Sequence, residues 1–406
     1  MSKWIPLAIL TTLLFACKST NKQEPIPEVL LMDAKYLAQS KMRIENNDTS
    51  IMPAFDQLLE EADAALAEGP YSVTDKVKLP PSGNKHDYAS YSRYWWPDPT
   101  KPDGLPYIRK DGETYPGSQS LEESDRQRIG ALGVNTETLG LAYYFTGEEK
   151  YAEKAAQLLR VWFIDDETRM NPNVNHAQCR PGHNTGTKSG ILDGRLLTRA
   201  LEGSLLISES GALSNAEHQQ LKEWATEYFQ WLTTNKMALD EAASRNNHGS
   251  YYDAQAMYFA LYTDNQDAAI RIAENFVETR LYRQIKPDGS MPEEMARTRP
   301  LFYSNYNLHA MFLVAHLAKQ VGVDVYETTN SDSRLRAGLD YVVPYADSNK
   351  DWPQPSIGTF NRLEIYPILL MAEIAYPDGN YLDLAEMLPI DKQQAHRSNL
   401  ASPIMR

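Results

Sequence analysis

Helical periodicity constrains this chain more than any other feature. Apolar residues recur at i, i+3, i+4, i+7 and i+8 in segment after segment. Leu221, Trp224, Ala225, Tyr228, Phe229 and Leu232 form one such stripe; Ala254, Met257, Tyr258, Leu261 and Tyr262 form another. That spacing places one apolar face on an α-helix. Further helices are expected over 29–45, 54–68, 191–209, 266–284, 304–321, 332–345, 358–376 and 380–394. Thr146-Gly147-Glu148-Glu149 and Ser214-Asn215-Ala216-Glu217 read as capping boxes that open two more, the first burying Tyr151, Ala155, Leu158, Leu159 and Trp162. No strong run alternates as a strand would, and no glycine signature for a dinucleotide or a phosphate loop occurs. Paired helices over 406 residues, without a clean sequence repeat, imply an all-α chain arranged as an (α/α) toroid or solenoid. In a toroid the loops at one end surround a cleft.

The charge balance narrows the partners. A formal net charge of −14 argues against nucleic acid as a partner and requires that any site for a polyanion be a local basic cleft. The 24 Tyr and 7 Trp supply flat, amphipathic side chains able to stack on sugar rings, although most belong to the core.

The N-terminus reads as a targeting segment. Lys3 precedes an apolar run over 5–16, too short for an ordinary membrane span, which ends Leu14-Phe15-Ala16-Cys17. A small residue followed by Cys at that point resembles a bacterial lipoprotein signal. Residues 1–17 are expected to be that signal, with Cys17 lipidated. Residues 18–28 would be a polar tether, and 29–406 a single catalytic domain. The chain would then meet the membrane only through its lipid anchor, in the periplasm or at the outer membrane. Cys179 alone remains in the mature chain, so neither an internal disulfide nor a cysteine-rich zinc site is available.

Polar residues collect in irregular stretches between helices. Residues 69–120 are rich in Pro, Gly, Tyr and Trp, too long for a simple connection and therefore read as functional. Residues 171–190 hold Asn173, His176, Gln178, Arg180, His183, Asn184 and Lys188. Residues 244–253 read Ser-Arg-Asn-Asn-His-Gly-Ser-Tyr-Tyr-Asp and open a helix, where free N–H groups and partial positive charge bias a histidine toward its neutral, proton-accepting form. Residues 286–306 carry Glu293, Glu294, Arg297, Arg299, Tyr303 and Tyr306, with Pro300 keeping the chain extended ahead of a helix.

His, Tyr, Arg and Asn together suit removal of a proton beside a carboxylate. Arg and Asn neutralise the carboxylate and the enolate-like charge that develops. His or Tyr takes the proton, and Tyr returns one to the leaving oxygen. Cleavage of a uronic-acid polysaccharide by β-elimination needs that sequence of events. A hydrolase would need two facing carboxylates. Asp98, Asp103, Glu137, Asp193, Asp253, Glu293 and Glu294 are candidates, but no signature singles out a pair. An ordinary alternative for Arg297, Tyr303 and Tyr306 is helix-start packing with an ion pair to Glu293 or Glu294. His176 and His183, seven apart without a carboxylate at ligand spacing, do not make a metal site, and no cofactor is expected.

Asn246-Asn247-His248-Gly249, Met295-Ala296-Arg297 and Phe302-Tyr303-Ser304-Asn305-Tyr306, in that order, resemble the alginate lyase superfamily of α/α-toroid polysaccharide lyases. Family 5 is the familiar member, and family 38 of gut bacteria looks nearer. Tyr94-Trp95-Trp96-Pro97-Asp98-Pro99, the stretch from Gly104 to Gly112, and Arg169-Met170-Asn171-Pro172-Asn173 support the likeness, which spans roughly residues 85–375. The resemblance implies catalytic roles for Asn247 (carboxylate binding), His248, Tyr303 (acid, and in some reactions base) and Arg297 (pairing with the carboxylate). This chain is one residue shorter than family 5 between the Arg and the Tyr, which leaves Arg299 as a substitute. Asn184 is a further candidate for neutralising the carboxylate. Trp95, Gln178, His183, Asn246 and Tyr306 complete the expected sugar-binding set. The expected substrate is alginate, with another uronan such as glucuronan as the alternative. A glycan-binding lipoprotein without catalysis is the rival outside the enzymes.

Overall fold

Helices buried on nearly all sides alternate along the chain with helices that show one face to solvent. The computed structural model describes residues 27–326 and 333–403, so Cys17 and most of the tether lie outside the described residues. Helices α1 (Ala34–Glu45) and α2 (Met52–Leu66) come first, then α3 (Arg126–Thr146), α4 (Glu149–Leu159), α5 (Ile191–Leu206) and α6 (Asn215–Thr234). The short α7 (Lys236–Ala242) leads into α8 (Asn247–Tyr262) and α9 (Gln266–Phe276). Two small pieces, α10 (Tyr282–Gln284) and α11 (Pro292–Met295), precede α12 (Pro300–Gln320). Helices α13 (Arg334–Val342), α14 (Tyr366–Ala375) and α15 (Ile390–Gln394) follow. Buried α3, α5, α8 and α12 alternate with the amphipathic α4, α6, α9 and α13, which is the layering of an all-α toroid.

Several sequence expectations shift for identifiable reasons. Helix α3 carries no amphipathic stripe, because residues all round it are buried, and periodicity does not announce it. It packs on α5 through glycines: a Cβ on Gly133 would lie 2.6 Å from the Leu196 carbonyl, and one on Gly203 2.6 Å from that of Thr136. Ser214 and Glu217 form the expected capping box. Thr146 does not: it still belongs to α3, its hydroxyl donates to the Ala142 carbonyl, and Glu148 is the N-cap of α4. The stretch 266–284 is interrupted by a π turn, Val277–Leu281.

Four short strands escape period-2 reading because each has only two to four residues: β1 (Ala89–Tyr91), β2 (Trp95–Trp96), β3 (Ile108–Arg109) and β4 (His176–Cys179). Strand β1 pairs parallel with β4, and β2 antiparallel with β3. The bonds Ser92 N–H to Cys179 O and Tyr107 N–H to Pro181 O, both 3.0 Å, continue that pairing. Two irregular stretches far apart in sequence are thereby held side by side, next to the openings of α8 and α12.

Candidate active site

The polar loops and two helix starts enclose a cleft of about 420 Å³. Its lining includes Tyr94, Trp95, Gln178, Asn246, Asn247, His248, Tyr303 and Tyr306. Six arginines (93, 109, 126, 180, 195 and 297) join them, against one carboxylate, Asp111. An acidic chain has therefore gathered a basic island in this hollow.

Helix α8 aims His248. The Asn246 side chain caps the helix by accepting from the His248 N–H at 3.2 Å. The His248 Nδ1 meets the buried Glu241 carboxylate from α7. A carboxylate there accepts the Nδ1 hydrogen and leaves Nε2 as the basic nitrogen. Periodicity does not reveal Glu241: it lies seven residues upstream, on a helix that ends before α8 begins. Asn247 is buried and faces Glu294, which accepts its backbone N–H at 2.5 Å and its Nδ2 at 2.7 Å. An amide has a second hydrogen on that nitrogen.

Tyr303 sits in the first turn of α12. Its hydroxyl lies 3.0 Å from that of Tyr94 and accepts from Arg297 Nη2 at 2.9 Å. The guanidinium carbon of Arg297 stands 3.8 Å from the ring centroid. Burial first, then the neighbouring Tyr94, push the Tyr303 phenol well above its ordinary value, while Arg297 pulls it down. The hydroxyl is thus protonated near neutral pH and ready to donate.

Arg297 does not pair with Glu293 or Glu294. Its Nη2 lies 3.0 Å from Asp111 Oδ1, and Thr298 also donates to Asp111, at 3.1 Å. Burial alone would raise the Asp111 carboxyl, but Arg297, Arg109 and Thr298 outweigh it and hold it at about 2. Asp111, unread as a site residue in the sequence, ties the β2–β3 hairpin across to the start of α12.

Other expected residues divide. Gln178 and Arg126 both hold Asp193 beneath the cleft, and Tyr88 and Ser90 donate to the same carboxylate at 2.9 and 2.6 Å. Gln178 reaches it from a left-handed backbone, φ 49°. Arg180 lies 4.7 Å over the Trp95 ring. His183, Asn184 and Arg299 are not in the cleft lining. His183 packs edge-on against Trp95 and bonds to the Tyr107 carbonyl at 2.8 Å. The exposed Asn184 accepts from the Arg180 N–H, and Arg299 covers Phe302. These three brace the loops around the cleft.

The carboxylates a hydrolase would need are committed elsewhere. Asp193, Glu137 and Asp253 pair with Arg126, Arg199 and Arg280, and Glu294 holds Asn247. Asp98 and Asp103 cap exposed turns. Glu293 is exposed. Among the described residues no group of His, Cys, Asp and Glu is arranged to hold a metal.

Glu294 gives a stability prediction. Burial pushes its carboxyl up to about 7, against the hydrogen bonds from Asn247. The folded chain then holds this proton more tightly than the unfolded chain, where the group titrates near 4.5. Its contribution is most favourable below about 4.5 and is lost as pH rises through about 7. Glu294→Gln cannot ionise and should flatten that decline by on the order of 3 kcal/mol. Urea unfolding of both proteins at about pH 4.5 and pH 8 measures it; equal pH dependence would refute the assignment.

Known proteins share both the sequence pattern and the fold. The family model described as alginate lyase matches residues 72–352. A crystal structure of an alginate lyase from Bacteroides ovatus is 38% identical, with a TM-score of 0.87, covering 92% of this chain and 99% of that one. Alginate lyase A1-III from Sphingomonas species A1 shares the fold at 15% identity and a TM-score of 0.56, over 91% and 97% of the two chains. A variant of A1-III complexed with tetrasaccharide aligns at 16% identity and a TM-score of 0.55, over 84% and 90%. No curated protein matches the chain in sequence. With the family pattern running through the helices and loops that build the cleft, this chain belongs to the alginate lyase family.

Proposed function

We propose that this chain is a polysaccharide lyase that cleaves alginate by β-elimination. The observation that carries the proposal is the cleft itself, where six arginines surround a histidine and a protonated tyrosine while the single lining carboxylate is already paired. A polyuronate brings one carboxylate per sugar into that positive field. The second Nδ2 hydrogen of Asn247, the first being held by Glu294, is the donor to the charge that spreads onto the substrate carboxylate as C5 loses its proton. His248, its tautomer set by Glu241, takes the proton at Nε2. Tyr303 delivers its hydroxyl hydrogen to the C4 oxygen as that bond breaks, leaving a C4–C5 double bond conjugated to the carboxylate. Arg297 acts on Tyr303: paired to Asp111, it serves the phenol more directly than the substrate.

The test is ultraviolet absorbance of the unsaturated uronate on mixing with poly-mannuronate, poly-guluronate and glucuronan. Growth on alginate polymers is expected. Growth on glucuronan alone would keep the chemistry and replace the substrate, and saturable binding without absorbance would favour a glycan-capturing protein.

Two finer readings belong to the same proposal. The likeness to family 38 rests on the motifs at 246–249, 295–297 and 302–306. The Leu-Phe-Ala-Cys ending of the first apolar run supports a lipid anchor at Cys17, with the enzyme held in the periplasm or at the outer membrane. Intact mass should then show acyl chains that disappear in Cys17→Ser; an unacylated wild-type Cys17 would overturn this.

A further inference from the structure

A second basic hollow lies behind the turn that aims His248. It is an open groove of about 720 Å³ between α6, the end of α7, α8 and α9, larger than the cleft. Its charged lining residues are Arg245, Arg271, Arg280, Arg283 and Asp253. Asp253 is neutralised: Arg280 meets it through Nε at 2.7 Å and Nη2 at 2.9 Å. Arg280 also donates to the Ala242 and Ser244 carbonyls, at 2.7 and 3.0 Å, so four of its five N–H donors are engaged, two with Asp253 and two with the turn. The other three arginines are exposed and, among the described residues, have no ion pair or side-chain hydrogen bond. The π turn Val277–Leu281 separates the Arg271 part of α9 from Arg283. Asn275 and Thr279 supply neutral polar groups, and Phe229 and Ile272 an apolar patch.

Three guanidinium groups without an ion pair, beside one Asp253–Arg280 pair, make the lining of this groove positive on an acidic chain. Arginine holds carboxylates through two parallel N–H donors, and amide, hydroxyl and apolar groups beside it suit a sugar ring. The geometry points to a second, non-catalytic site in this groove that binds an acidic oligosaccharide through its carboxylates. The identity of that ligand rests on the uronan reading of the cleft. One turn would then serve both sites, with Arg245 facing the groove and His248, three residues on, facing the cleft. A long chain held at the groove raises the local concentration of its remaining sugars at the cleft.

The test is calorimetric titration of a saturated mannuronate trisaccharide into Tyr303→Phe protein, which stops turnover without emptying either site. Two equivalents are expected. Adding Arg271→Glu and Arg283→Glu should leave one, with tenfold or greater weakening of the lost site, while Arg271→Lys with Arg283→Lys should keep two. One equivalent in the Tyr303→Phe parent, or two in the glutamate variant, overturns the groove. Wild-type turnover separates the failures: activity on alginate with one equivalent bound sinks the groove alone, whereas no activity on any uronan sinks the uronan reading and the groove's ligand with it.

Discussion

Tyr303→Phe should lose lyase activity on every uronan by about a thousandfold while remaining folded. The substitution removes one hydroxyl from a ring whose packing against Phe302 and Arg297 persists. What disappears is the proton donor to the leaving C4 oxygen, and general acid catalysis of this kind contributes about 10²–10⁴ in rate. Because the loss falls on the chemical step, it should appear in kcat more than in KM. Initial rates on poly-mannuronate and poly-guluronate, with circular dichroism to check folding, decide it. Substantial turnover by folded Tyr303→Phe would remove the phenol from the mechanism and leave Tyr94, 3.0 Å away, as the donor to examine.

His248→Ala should separate the two sugars. In guluronate the C5 proton and the C4 oxygen lie on opposite faces of the ring, so the base and the acid must be different groups. Loss of His248 should then reduce poly-guluronate cleavage by about 10²–10⁴. In mannuronate both lie on one face, where Tyr303 can act twice if it first ionises. Burial opposes that ionisation, and Arg297, against both ring and hydroxyl, is the group that favours it. The activity left on poly-mannuronate should therefore rise about tenfold per pH unit toward alkaline pH, because the phenolate fraction rises that way below a raised pKa. Equal collapse on both polymers, with no alkaline rise, would make His248 the base for both sugars.

Local chemistry was legible where it repeats within a turn or two. The stripe ending at Leu232, the capping box from Ser214 to Glu217 and the polar start of α8 at Asn246 could all be read directly. Each depends on backbone geometry spanning a few residues, which the order of side chains encodes. Residues 126–146 were not legible as a helix, because burial on every side erases the alternation of polar and apolar faces.

The partners of the catalytic candidates belong to tertiary structure. Asp111 reaches Arg297 across 186 residues and Tyr94 reaches Tyr303 across 209, separations over which side-chain order carries no distance information. Glu294 lies 47 residues from Asn247. Even Glu241, only seven residues from His248, meets it because the chain breaks helix between α7 and α8. The same packing set His183, Asn184 and Arg299 in the loops around the cleft rather than in its lining. By itself the sequence determined the residue types for proton transfer beside a carboxylate, and the helical rhythm that carries them. Only the folded toroid decided which charges face one another, because that depends on helices and loops meeting across the whole chain.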